Sequence, residues 1–109
     1  MEAASAGGCE RFQPLLEKYD WDVRIMKAIM QAESLCNENV TGDTSLTFTQ
    51  NGRMYGYSVS LFQVRILPGR EACDSHVPEV NIDCAYHVWK SQGYKAWSVY
   101  TNKRYLRFL

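Results

Sequence analysis

No stretch of this chain is apolar over the roughly 18 to 20 residues that a membrane-crossing helix requires, so no membrane span is expected. No sign of charge prevails either: twelve lysines and arginines stand against twelve aspartates and glutamates. Without a field of one sign to recruit polyanions, nucleic-acid and anionic-lipid partners are disfavoured. The same neutrality argues against long-range attraction to an anionic polymer. Internal repeats and low-complexity tracts are missing, which excludes a solenoid or a disordered linker. The start, Met1-Glu2-Ala3-Ala4-Ser5-Ala6-Gly7-Gly8, lacks a basic segment followed by an apolar one, so no leader peptide is expected in this chain. Residues 1–9 are expected to be a poorly ordered lead-in.

What is present suits a single globular domain spanning 1–109. The residues are 46% hydrophobic and 13% aromatic, enough for one packed core, and 22% charged. Four cysteines, Cys9, Cys36, Cys73 and Cys84, are compatible with two disulfides in an exported protein, in any of three pairings. A competing arrangement is a small zinc-stabilised interaction module. In it Cys73-x-x-His76 and Cys84-x-x-His87 supply four tetrahedral ligands and use both histidines of the chain.

Periodicity predicts a first helix through Phe12, Leu15, Leu16 and Tyr19, with Pro14 tolerated in its first turn. A second helix is expected from Trp21 to about Leu35, capped by Asp20. Asn51-Gly52, two residues that accept positive φ, predicts a hairpin across Leu46–Tyr55. Ser58–Val64 is expected to open a short helix capped by Ser58. Asn81–Gln92 is expected to form another helix closed by Gly93, and Trp97–Leu109 a last one rich in aromatics.

Glu33 is the informative residue. At 100° per residue it projects into the stripe of Met26, Ile29 and Met30. Desolvation there, together with the negative end of the helix, raises the pKa of a carboxyl group and keeps it protonated, as a general acid requires. The alternative is that Glu33, in the last helical turn, reaches water past the edge of the core.

The words around Glu33 carry more. Ala28-Ile29-Met30-Gln31-Ala32-Glu33-Ser34-Leu35-Cys36-Asn37-Glu38-Asn39-Val40 resembles the glutamate-bearing helix end of the lytic transglycosylase and goose-type lysozyme family. Ser58-Val59-Ser60-Leu61-Phe62-Gln63-Val64 resembles that family's cleft segment. Asn81-Ile82, Ala85-Tyr86 and Gln92-Gly93 through Trp97-Ser98-Val99-Tyr100 are similar to the C-terminal pattern of phage-type members. Two departures stand out: Ser60 replaces a glycine, and Leu35-Cys36 replaces small residues.

The resemblance implies a lysozyme-like, mainly helical α+β fold with a small β-hairpin. It also implies cleavage of the β-1,4 bond between N-acetylmuramic acid and N-acetylglucosamine in peptidoglycan. Glu33 is then the acid/base, and Ser58, Gln63, Phe62, Trp97 and Tyr100 are candidates for binding the sugar. Ser58 has an equal claim as a helix cap, and large aromatics are more often core than ligand surface. Asp43 and Asp83 are candidates for the second carboxylate that most glycosidases use. Transglycosylases of this family need none, because the substrate's own N-acetyl and 6-hydroxyl groups close an anhydro ring. No cofactor or metal is called for. The protein is expected to act as a monomer, outside the cell or at the wall, after secretion or phage release. A glycan-binding relative without catalysis is the remaining alternative.

Overall fold

A computed structural model describes residues 8–109 and shows an α+β protein: a helical body with two small antiparallel sheets. Of the lead-in 1–9, residues 1–7 lie outside the described residues. Cys9 is buried at 2% exposure and disulfide-bonded to Cys36.

Helix α1 is only Gln13–Leu16, with Pro14 in its first turn. It is shorter than the apolar repeat suggests because Trp21 folds back, its indole Nε1 donating to the Leu16 carbonyl. Phe12, Leu16 and Trp21 nonetheless enter the core. Helix α2, Val23–Ser34, is capped by Asp22, whose carboxylate accepts from the Ile25 amide at 3.1 Å. Asp20, the cap expected from the pattern, instead accepts from the Tyr86 hydroxyl. Met26, Ile29 and Met30 are fully buried along one face, as the 3.6-residue period requires. The helix ends where Leu35 and Cys36 turn left-handed, at φ 54° and 59°.

Strand β1 (Thr41–Gly42) pairs with β4 (Ser58–Val59), which pairs with β5 (Val64–Arg65), all antiparallel. Between them lies the expected hairpin, β2 (Phe48–Gln50) against β3 (Arg53–Tyr55). It turns at Asn51 and Gly52, whose φ values of 52° and 78° suit a type I′ turn. The Ser58–Val64 segment is therefore not a helix. It is two strands joined by a tight turn, with Ser60 and Gln63 both at positive φ. Tyr55, Val59 and Ile66 form a small second core beneath these strands.

Helix α3, Pro78–Gln92, begins earlier than Asn81 because Pro78 fits the first turn, where its missing N–H costs nothing. Gly93 closes it at φ 74°. The expected helix over 97–109 is broken: α4 is Ser98–Thr101, and a 3₁₀ segment, Arg104–Phe108, follows a left-handed Lys103. These C-terminal pieces pack on α2, with Trp97, Val99, Ile82 and Ala85 completing the main core.

The cysteines pair as Cys9–Cys36 and Cys73–Cys84. The zinc module is thereby overturned, because its two thiolates are consumed by one disulfide. His76 meets the Thr41 hydroxyl at 3.0 Å, and His87 pairs with Asp83. No cluster suited to a metal ion occurs among the described residues. None of the helices described is long and apolar enough to cross a membrane.

Candidate active site

Glu33 sits on the last turn of α2, continuing the stripe of Met26, Ile29 and Met30, but at the rim of the core rather than inside it. There it lines a cleft of about 280 Å³. Asp43, Ser58, Gln63 and Trp97 share the cleft, as do Arg65 and Arg70. Burial pushes the Glu33 carboxyl up to about 7; the negative charge of Asp43 adds to the rise and Arg104 opposes it. A group poised there holds a proton near neutral pH and gives it up readily, which is the requirement for general acid–base work.

The floor of the cleft is the β4–β5 turn, held from three directions. Asn81, fully buried on α3, accepts from the Phe62 amide at 2.8 Å and donates to the Val59 carbonyl at 2.9 Å. Trp97 Nε1 donates to the Phe62 carbonyl at 3.0 Å. Ser34, next to Glu33, places its hydroxyl 2.8 Å from the Leu61 carbonyl. The turn is thus locked to the helix that carries the acid, so Glu33 and the cleft floor are positioned as one unit.

Gln63 donates from Nε2 to the carbonyls of Ser60 (2.8 Å) and Val40 (3.1 Å). A Cβ at Gly42 would lie 2.3 Å from Gln63 Oε1, so the absence of a side chain on β1 leaves this amide its place. Ser58 caps no helix. Its hydroxyl, buried in β4, donates to Asp43 Oδ2 at 2.5 Å and orients that carboxylate at the cleft. Ser60 adopts φ 65°, the region that glycine enters without strain. Its side chain is fully buried and its Oγ finds no hydrogen-bond partner among the described residues, so it does not narrow the cleft.

The remaining candidates lie elsewhere. Phe62 is 0% exposed and packs between Trp21 and Trp97, so it presents no face to a ligand. Trp97 lines the cleft but is only 5% exposed, which leaves little of its ring for stacking on a ligand. Tyr100 is stacked between Tyr94 and Tyr105, with centroids at 5.2 and 4.7 Å, and does not line the cleft. Asp83 accepts from the Tyr19 hydroxyl and pairs with His87, also away from the cleft, which leaves Asp43 as the carboxylate beside Glu33. Sequence reasoning missed the clamp made by Asn81, the Ser58–Asp43 bond and the two arginines. The strand register, which sets Ser58 opposite Arg65, brings the first of these arginines to the site, and the turn after β5 brings Arg70. Set beside known protein families, characterised proteins and solved structures, the chain matches none.

Proposed function

We propose that this protein is a peptidoglycan glycosidase with a lysozyme-like fold, in which Glu33 is the general acid/base. The observation that carries the reading is a carboxyl group raised to about 7 by burial, at the edge of a polar cleft. The three segments that resemble the transglycosylase and goose-type lysozyme family support it, since all three border this cleft. Two disulfides are compatible with work outside the cell or at the wall.

Glu33 donates its proton to the glycosidic oxygen as the bond from that oxygen to the anomeric carbon breaks. Positive charge develops on the sugar ring, and Asp43, oriented by Ser58, is the carboxylate placed to stabilise it. Ionised Glu33 then takes a proton from the incoming nucleophile. With water as the nucleophile the product has a reducing end; with the substrate's own 6-hydroxyl it is an anhydro sugar. Mass spectrometry separates the two by the mass of one water.

Turbidity of purified bacterial walls tests the assignment. The parent is expected to clear them, and Glu33→Gln to lower the rate by roughly 10² to 10⁴-fold, the span of general acid catalysis. Equal clearance by the two proteins refutes the role of Glu33.

A further inference from the structure

The wall of the cleft formed by β5 and the turn after it carries two arginines, Arg65 and Arg70. Both are half-buried, and neither forms an ion pair among the described residues, whereas Arg11 is paired with Glu38 and Arg53 with Asp74. Backbone carbonyls hold them in place instead. Arg65 donates from Nε to Gly56 at 2.8 Å and from one terminal nitrogen to Leu46 at 3.2 Å. Arg70 donates from one terminal nitrogen to the Arg65 carbonyl at 3.2 Å. A neutral acceptor fixes a guanidinium without neutralising it, so both full charges and several N–H donors remain for something else.

Their surroundings narrow what that is. Arg70 also borders a second, more apolar hollow of about 350 Å³, where it is joined by Cys73, Cys84, Val88 and Gln92. Arg70, Val88 and Gln92 line both spaces, so the groove continues past Arg70 into a space that Glu33 does not line. The Cys73–Cys84 disulfide ties the segment that follows Arg70 to α3 and holds this part of the wall. An elongated ligand lying over Glu33 and Asp43 therefore runs on to a fixed pair of positive charges.

We propose that Arg65 and Arg70 form a carboxylate subsite, so that the cleft selects amino-sugar polymers bearing acidic substituents over neutral ones of the same backbone. Planar guanidinium groups match carboxylates with paired hydrogen bonds, and partial removal from water strengthens them. The inference rests on the glycosidase reading for the backbone of its ligand, but concerns binding rather than bond cleavage. The acidic group has two sources in a wall polymer: the lactyl carboxylate on the sugar and the carboxylates of an attached peptide.

Calorimetric titration of Glu33→Gln, whose expected turnover is too slow to consume ligand during the titration, decides the matter. The ligands are a neutral N-acetylglucosamine tetramer and tetramers alternating with N-acetylmuramic acid, with and without peptide stems. The acidic ligands are expected to bind about tenfold more tightly than the neutral one. Adding Arg65→Gln or Arg70→Gln is expected to weaken acidic ligands about fivefold to tenfold each and the neutral tetramer less than twofold, with partial recovery in Arg70→Lys. Unchanged melting of each variant verifies the fold. A loss already complete for the tetramer without peptide assigns the lactyl group; a loss confined to the stem-bearing ligand assigns the peptide.

Equal affinity for acidic and neutral ligands, an equal loss for both in the arginine variants, or binding of none of them overturns the subsite. Arginine-dependent preference in a protein whose parent cleaves no wall polymer leaves the subsite standing and removes the glycosidase.

Discussion

At the scale of single residues, the free energy that matters is concentrated in Glu33. In the unfolded chain its carboxyl has the ordinary value of 4.5, and in the folded protein it stands at about 7. The folded state therefore binds more protons between these values, and stability falls as pH rises from 4.5 to about 7, then levels off. The ionised group costs about 3 kcal/mol by this reckoning. Glu33→Gln, neutral at every pH, is expected to be more stable than the parent at pH 8 by up to about that amount. The advantage should disappear below the unfolded value, as urea denaturation at both pH extremes will reveal. Under the proposed role activity declines in the same direction, since a general acid must be protonated to act. Wall clearance by the parent should fall about tenfold per unit of pH once the pH exceeds about 7. A rate that stays flat up to pH 9 would assign proton donation to another group.

At the scale of elements, the β4–β5 turn shows how a short segment is made rigid enough to serve as a cleft floor. Its two strands contribute only two residues each, so their ladder alone cannot hold the turn. Asn81 and Trp97 supply hydrogen bonds from the helical side, and Val40 accepts from the Ser60 amide at 2.8 Å. Ser60 is the strained position: it is left-handed, buried and carries a hydroxyl with no partner among the described residues. Ser60→Gly removes both penalties at the cost of some unfolded-state entropy, and is expected to stabilise the protein by roughly 1 kcal/mol. A denaturation midpoint shifted downward in this variant would show that the hydroxyl has a partner after all.

At the scale of the whole molecule, the two disulfides tie down segments that adjoin the candidate site. Cys9–Cys36 spans 27 residues and secures the chain just after Glu33; Cys73–Cys84 spans 11 and secures the wall that carries Arg70. Loop-closure entropy assigns the longer bridge roughly 3 to 4 kcal/mol and the shorter about 3. Replacing Cys9 and Cys36 by serine is therefore expected to lower the denaturation midpoint more than replacing Cys73 and Cys84. The reverse order would place the larger native-state contribution in the arginine wall.

Local patterns in the sequence were enough to determine the buried face of α2, the Asn-Gly hairpin, the glycine stop at Gly93 and the placement of Glu33 beside an apolar stripe. Each of these depends on period, cap or turn chemistry within a few residues. The cysteine pairing, the strand character of Ser58–Val64, the burial of Phe62, the position of Asp43 rather than Asp83 at the cleft and the gathering of Arg65 and Arg70 there were decided only by tertiary structure. Those features depend on which surfaces meet. Ser58–Val64 carries enough apolar residues for a helix, and it forms strands because Asn81, Val40 and Trp97 satisfy its backbone from outside the segment. Seven consecutive residues hold no record of partners so far away in the chain.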